Sequence, residues 1–409
     1  MAAATGRTLV LPPRAPFYLL AHGKQGARSF GSFFDLKNIP SSQLKIISME
    51  EFYRTQGQKL LGLEAQEVEH LSPIADICTY AATADANNEH CEHIYRPLRE
   101  MGWQPQVEAG NDCLIFDQRV YETDSYENVP EDLLEQSQRF CGKDRKMHYY
   151  NSTWTSPTLL HWNAASLDTR LLNHFYTFML FTDPVVDNFY KRFVRDYLHY
   201  NDEIYCAAGK VINALRKESE MFSTMHVRRG DFQYTVVKLP AEELYENTKE
   251  VWKTNEPLYI ATDEMNRTFF DPIAKHHPIR VLGDYWDIAN LGSLDKTYLG
   301  MIDTVVAAQG RTFAGTWFST FSGFINRLRG YYGYSMNDSW YSWLERKTVV
   351  QNWTYPNGNY PAREWPISWI GIDGDEILEH ELNHFPNPNA KFIGIDEVPA
   401  IGATPGATK

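Results

Sequence analysis

Between residues 221 and 328 the chain alternates short apolar runs with helical periods, and that alternation constrains the fold more than any other feature. Runs at 222–227, 257–262, 279–284 and 311–316 have strand length. Between and after them, apolar residues recur every three to four positions: Leu244, Thr248, Val251 and Trp252; then Tyr298, Met301, Ile302, Val305 and Val306; then Phe321, Phe324, Ile325 and Leu328. Strand, helix, strand in repetition is the pattern of βαβ units around a parallel sheet. Pro240 suits the first turn of its helix, and Gly310 is placed as a C-terminal cap.

A sheet of this kind binds ligands at the carboxyl ends of its strands, and the strand ends here carry unusual residues. "MFSTMHVRRGDFQY" (221–234) begins like a buried strand and finishes in His226, Arg228, Arg229, Gly230 and Asp231. Side-chain alternation puts His226 and Arg228 on one face. Arginine stays charged and offers paired donors to phosphate oxygens; the plainer alternative for Arg228 is an ion pair with Asp231 or Glu264. In "GTWFSTFSG" (315–323), Ser319 and Thr320 open a helix, where free amide groups and the helix dipole favour an anion. The alternative is that Ser319 only caps that helix. "YIATDE" places Asp263 at another strand end, and Asp303 on the preceding helix could accept hydrogen bonds from a guanine edge or a ribose, or simply face solvent.

The whole chain limits what such a site can serve. With 409 residues, 43% of them hydrophobic, there is material for two well-filled domains. A net charge of −13 argues against nucleic-acid binding, which leaves a basic footprint. No window approaches the roughly 18 apolar residues of a membrane-spanning helix, and "MAAATGRTLVLPPR" does not read as a signal peptide. Five cysteines without CxxC spacing argue against a zinc site and allow a disulfide or two. "DGD" at 373–375 has the form of a metal-binding DxD but no nucleotide-binding context. Sequons at Asn151, Asn266, Asn337 and Asn352 suit a secretory protein. "RGD" at 229–231 follows a buried strand directly, which is no place for an adhesion loop. The N-terminal half is less regular: a strand at 7–13, a loop-rich stretch through 150, and a helical region from 165 to 217 whose aromatics read as core rather than a ligand box. Beyond 346, repeated prolines mark a mostly loop-like extension.

"HVRRGDF", "YIATDE" and "FAGTWFSTFSGFINRLRGYYG", in this order and spacing, resemble the three signature segments of GDP-fucose protein O-fucosyltransferases. The similarity extends upstream through "GRTLVLPP" and "FFDL" and covers roughly residues 5–345. It implies an α/β, GT-B-like fold: a Rossmann-like acceptor half at 1–200, a Rossmann-like GDP-fucose-binding half at 201–345 with the donor crevice between the halves, and a Pro-rich extension at 346–409. It implies inverting transfer of fucose from GDP-fucose to a Ser or Thr hydroxyl of a protein, with no cofactor and no metal. Arg228 would be the catalytic residue that holds the diphosphate. The substrate-binding set would be His226, Arg228, Asp231, Asp263, Asp303, Ser319, Thr320 and Phe321. The family's first strand and Gly/Asn-rich loop have no match before "MAAAT", so the chain reads as lacking them and no general base is assigned. A lumenal location, endoplasmic reticulum or Golgi, follows from the same resemblance. The alternatives are a non-catalytic GDP-sugar-binding domain and a fucosyltransferase acting on a glycan.

Overall fold

The computed structural model describes residues 1–14, 28–78, 89–107, 112–121, 129–142, 145–162, 178–232, 234–317, 319–335, 338–341, 369 and 372–373. The chain divides into two compact units, Met1–Asn201 and Asp202–Lys409. The 346–409 extension falls almost entirely outside the described residues, as do Asn337 and Asn352.

The first unit holds two parallel sheets. Strand β1 (Leu9–Val10) pairs with β2 (Ile46–Ile47), and β3 (Asp112–Phe116) lies between β4 (Lys146–Tyr149) and β5 (Met179–Phe181). Every residue of β3 is buried, as expected of a central parallel strand covered on both faces. Helices α1 (Met49–Leu61), α2 (Ala65–Ala75), α3 (Glu89–Met101), α4 (Glu131–Cys141) and α5 (Pro184–Tyr197) accompany them. This half is more helical than its sequence suggests. The signals were local: Ser48 caps α1 by accepting from the Glu51 amide at 3.0 Å, and Gly62 closes that helix with φ +67°. Residues 179–181 form a strand where helical periodicity continued on paper, because pairing with β3 outweighs local preference. On α5, Phe193 packs with Ile39 and Leu44. A disulfide, Cys113–Cys141, ties β3 to α4. Asn151 is 1% exposed and accepts from the Thr153 amide, so in the folded chain it is closed to a glycan; Asn266 is exposed.

The second unit carries a five-stranded parallel sheet in the order β10 (Ser339–Tyr341), β9 (Phe313–Gly315), β6 (Ser223–Val227), β7 (Leu258–Thr262), β8 (Ile279–Arg280). Counted along the chain within this unit, that order reads 5-4-1-2-3, the doubly wound pattern, and the direction of winding switches between β6 and β9. The longer helices are α6 (Asp202–Glu218), α7 (Ala241–Thr248), α8 (Leu299–Ala308) and α9 (Thr320–Tyr331). One face of β6 sends Met225 and Val227 into a core with Leu244, Trp252, Phe270 and Trp317. The other face sends Thr224 to the Ala307 carbonyl of α8 and His226 to Ser322 of α9.

Two expectations change here. The third strand stops at Arg280 because the Asp284 carboxylate accepts from the Val281 amide at 3.0 Å and winds 282–285 into a 3-10 turn. Gly310 is no cap: α8 ends at Gln309 in right-handed geometry, and a Cβ at Gly310 would lie 2.6 Å from the Thr224 side chain. Its value is close approach, which fixes how tightly the end of α8 meets β6.

Candidate functional site

Three loops meet at the carboxyl ends of β6, β7 and β9, and Thr316 joins two of them. Its hydroxyl donates to the His226 carbonyl at 2.8 Å and accepts from the Arg228 amide at 3.0 Å. Its own carbonyl accepts from the Ser319 amide at 3.3 Å. The end of β6 and the start of α9 are thereby held together across the switch point. Thr262 ties in the third loop, donating to the Val227 carbonyl at 2.7 Å and accepting from the Glu264 amide at 3.0 Å.

Arg228 leaves β6 into this junction with its side chain 26% exposed. Nη1 pairs with Asp263 and Nη2 with Asp231 at 2.5 Å. The plainer alternative of an ion pair with Asp231 or Glu264 is realised through Asp231, while Glu264 holds Arg229, at 3.1 Å. Asp263 serves both arginines, since its other oxygen accepts from the Arg229 amide at 2.7 Å. Arg229 is further committed by a bond to the Leu239 carbonyl at 3.0 Å and by stacking over Phe269, 4.1 Å from the ring centroid. Both partners of Arg228 are themselves accessible, Asp231 at 83% and Asp263 at 27%. The pair with the 83% exposed Asp231 carboxylate is of the weak, exchangeable kind, whereas the pair with Asp263 is partly buried. An arriving anion can compete for the guanidinium.

His226 does not line open space. It is 3% exposed, lies under Phe321 with ring centroids 4.5 Å apart, and its Nδ1 meets the Ser322 hydroxyl at 2.7 Å. Burial first, and then the neighbouring Arg228 charge, lower its pKa to about 3, so the imidazole is neutral at physiological pH. Gly315 makes this possible, because a Cβ there would sit 2.7 Å from the Ser322 side chain.

At the start of α9 the Ser319 side chain makes no capping bond, which overturns the view of it as a cap alone. Among the described residues its hydroxyl has no hydrogen-bond partner, the first-turn amides have no helical acceptor, and Thr320 beside it is exposed. Asp303, one turn into α8, is not on a solvated face: Tyr259, fully buried on β7, donates to its Oδ1. Burial raises the Asp303 carboxyl to about 7, partly offset by that hydrogen bond. Its Oδ2 makes no hydrogen bond among the described residues.

The eight residues read from sequence therefore fall into three sets. Arg228, Asp231 and Asp263 form one ion-pair group, joined through Thr316 to Ser319 and Thr320. His226 and Phe321 form a buried stack beneath it. Asp303 stands on the same side of the sheet, at Tyr259. Thr316, Ser322 and Tyr259 escaped the sequence reading, although the first two lie inside "GTWFSTFS" as polar residues flanking a strand end and a helix start. Among the described residues no cluster of three His, Cys, Asp or Glu side chains could hold a metal ion. Of the "DGD" at 373–375, Asp373 is exposed and Asp375 lies outside the described residues.

A family model for the GDP-fucose protein O-fucosyltransferases matches residues 1–332. Two solved structures of POFUT1 in complex with GDP are similar to this chain at 12% identity, covering 83% of it and 91% and 90% of their own chains, with TM-scores of 0.35 and 0.36. No curated protein matches the sequence.

Proposed function

Since the chain belongs to the GDP-fucose protein O-fucosyltransferase family, we propose that it moves fucose from GDP-fucose to a Ser or Thr hydroxyl of a protein, with inversion at the sugar and without a metal ion. One observation carries this reading: an exchangeable guanidinium, Arg228, tied through Thr316 to a helix start with an uncommitted serine. As the bond between fucose C1 and the β-phosphate oxygen breaks, negative charge grows on the leaving GDP. Arg228 and the first-turn amides of α9 would meet that charge most strongly at the transition state, which is where binding accelerates a reaction. Ser319 and Thr320 would add hydroxyl donors to the phosphates. Neutral His226 would support Phe321 and the strand end beneath the nucleotide, and Asp303 would accept from the guanine edge or ribose with Oδ2. The Cys113–Cys141 disulfide supports an oxidising compartment, and a lumenal site in the endoplasmic reticulum or Golgi belongs to the same proposal.

The test is GDP release from GDP-fucose in the presence of a broad Ser/Thr peptide library, a set of glycan acceptors, or no acceptor, each with and without a chelator. The reading expects release to match fucosylated peptide and to be indifferent to chelation. Transfer to glycans alone would move the acceptor class. GDP binding with no turnover on any acceptor would make the chain a GDP-sugar-binding domain instead.

A further inference from the structure

We infer that Cys78 and Cys91, both recorded as free thiols in the structure, are a second disulfide pair that fastens the end of α2 to the start of α3. Cys78 lies three residues beyond α2 and Cys91 in the first turn of α3. The two are 3% and 8% exposed and share one apolar cluster with Tyr53, Leu71, Ala75, Ile94 and Leu98. Their proximity does not depend on the sulfurs, because the Tyr95 hydroxyl, one helical turn beyond Cys91, donates to the Cys78 carbonyl at 3.0 Å. Burial, with Cys91 as the neighbouring thiol, pushes the Cys78 thiol up to about 12.

Other uses of such a pair do not fit. A nucleophile or redox sensor needs an accessible thiolate. Structural zinc takes four nitrogen or sulfur ligands, and among the described residues no third His, Cys, Asp or Glu joins the pair. What remains is a bond between the two sulfurs. In that step two thiols lose two protons and two electrons to a disulfide oxidant, such as oxidised glutathione, which leaves as two thiols. Closed off within the apolar cluster, such a bond is a fastening rather than a switch.

The test is peptide mapping without reduction, after alkylation under denaturing conditions, of protein made in an oxidising compartment and shown in the same digest to carry Cys113–Cys141. The expected result is a linked peptide joining Cys78 to Cys91, with Cys206 alone alkylated. Alkylation of both Cys78 and Cys91, or a bridge from either to Cys206, overturns the pairing.

Discussion

The two ends of the second unit's sheet use the same residue types for opposite purposes. At the amino ends of the strands, the buried Glu256 carboxylate accepts from Arg311 at 2.6 Å and 3.2 Å, from Ser223 at 2.8 Å and from the Lys253 amide at 2.7 Å. Nearby, fully buried Arg329 donates to the carbonyls of Ala308, Gly310, Arg311 and Asp338 and to the Ser339 hydroxyl. Glu256 and Arg329 are buried and fully paired, while Arg311, 21% exposed, spends its donors on Glu256, Ser223 and the Val251 carbonyl. At the carboxyl ends, Arg228 pairs with carboxylates that water also reaches and lies 5.9 Å from the Phe232 ring centroid, and the Ser319 side chain makes no capping bond among the described residues. Under the proposed function, Arg228 is available to a phosphate because water reaches its carboxylate partners.

Breaking the closed end should cost the most. Arg311→Ala strands the Glu256 carboxylate in a buried site, and unfolding in urea should show a loss of about 3–5 kcal/mol. Turnover per folded molecule should stay within about twofold. If stability holds while turnover falls, the two ends do not differ as described.

Ser319→Ala sharpens the open end. A capping serine costs about 1 kcal/mol when removed; with no cap bond here, the stability change should be smaller than that. GDP affinity, measured by calorimetry, should fall roughly fivefold for one lost hydrogen bond. A full capping loss with unchanged affinity would return Ser319 to a structural role.

The smallest effect concerns Asp303. Its folded pKa, near 7, lies above the ordinary 3.8, so between about pH 4 and 7 the folded chain holds a proton that the unfolded chain has released. That contribution to stability is lost as pH rises through the window, and Asp303→Asn should remove the dependence. If the ionised carboxylate accepts from guanine, GDP affinity should rise roughly threefold from pH 6 to 8, and the asparagine variant should flatten the rise. An unchanged slope in the variant would assign it to another group.

The open end was more legible in sequence than the closed one. "HVRRGDF" and "GTWFSTF" break the expected pattern, with charge and hydroxyls where a strand or helix has no need of them, and alternation alone put His226 on the face opposite Met225 and Val227. Glu256 and Arg311 look like ordinary surface charges, because the pairing that buries them joins strand starts far apart in the chain. Tyr259 and Asp303 were hidden for the same reason: each looks conventional on its own element. The strand at 179–181 was missed because three residues cannot show a period, and only the neighbouring β3 decides their form.

The central claim is that Arg228 spends its charge on the leaving diphosphate while Arg229 holds the loop. The direct measurement is kcat/KM for fucose transfer beside the Kd for GDP, in Arg228→Ala and Arg229→Ala. For Arg228→Ala the expected fall in kcat/KM is about a thousandfold, with GDP affinity weakened only about tenfold, since the stronger interaction arises as charge develops. Arg229→Ala should chiefly lower stability. Equal losses of transfer and GDP affinity in Arg228→Ala, or matching effects of the two substitutions, would contradict the account.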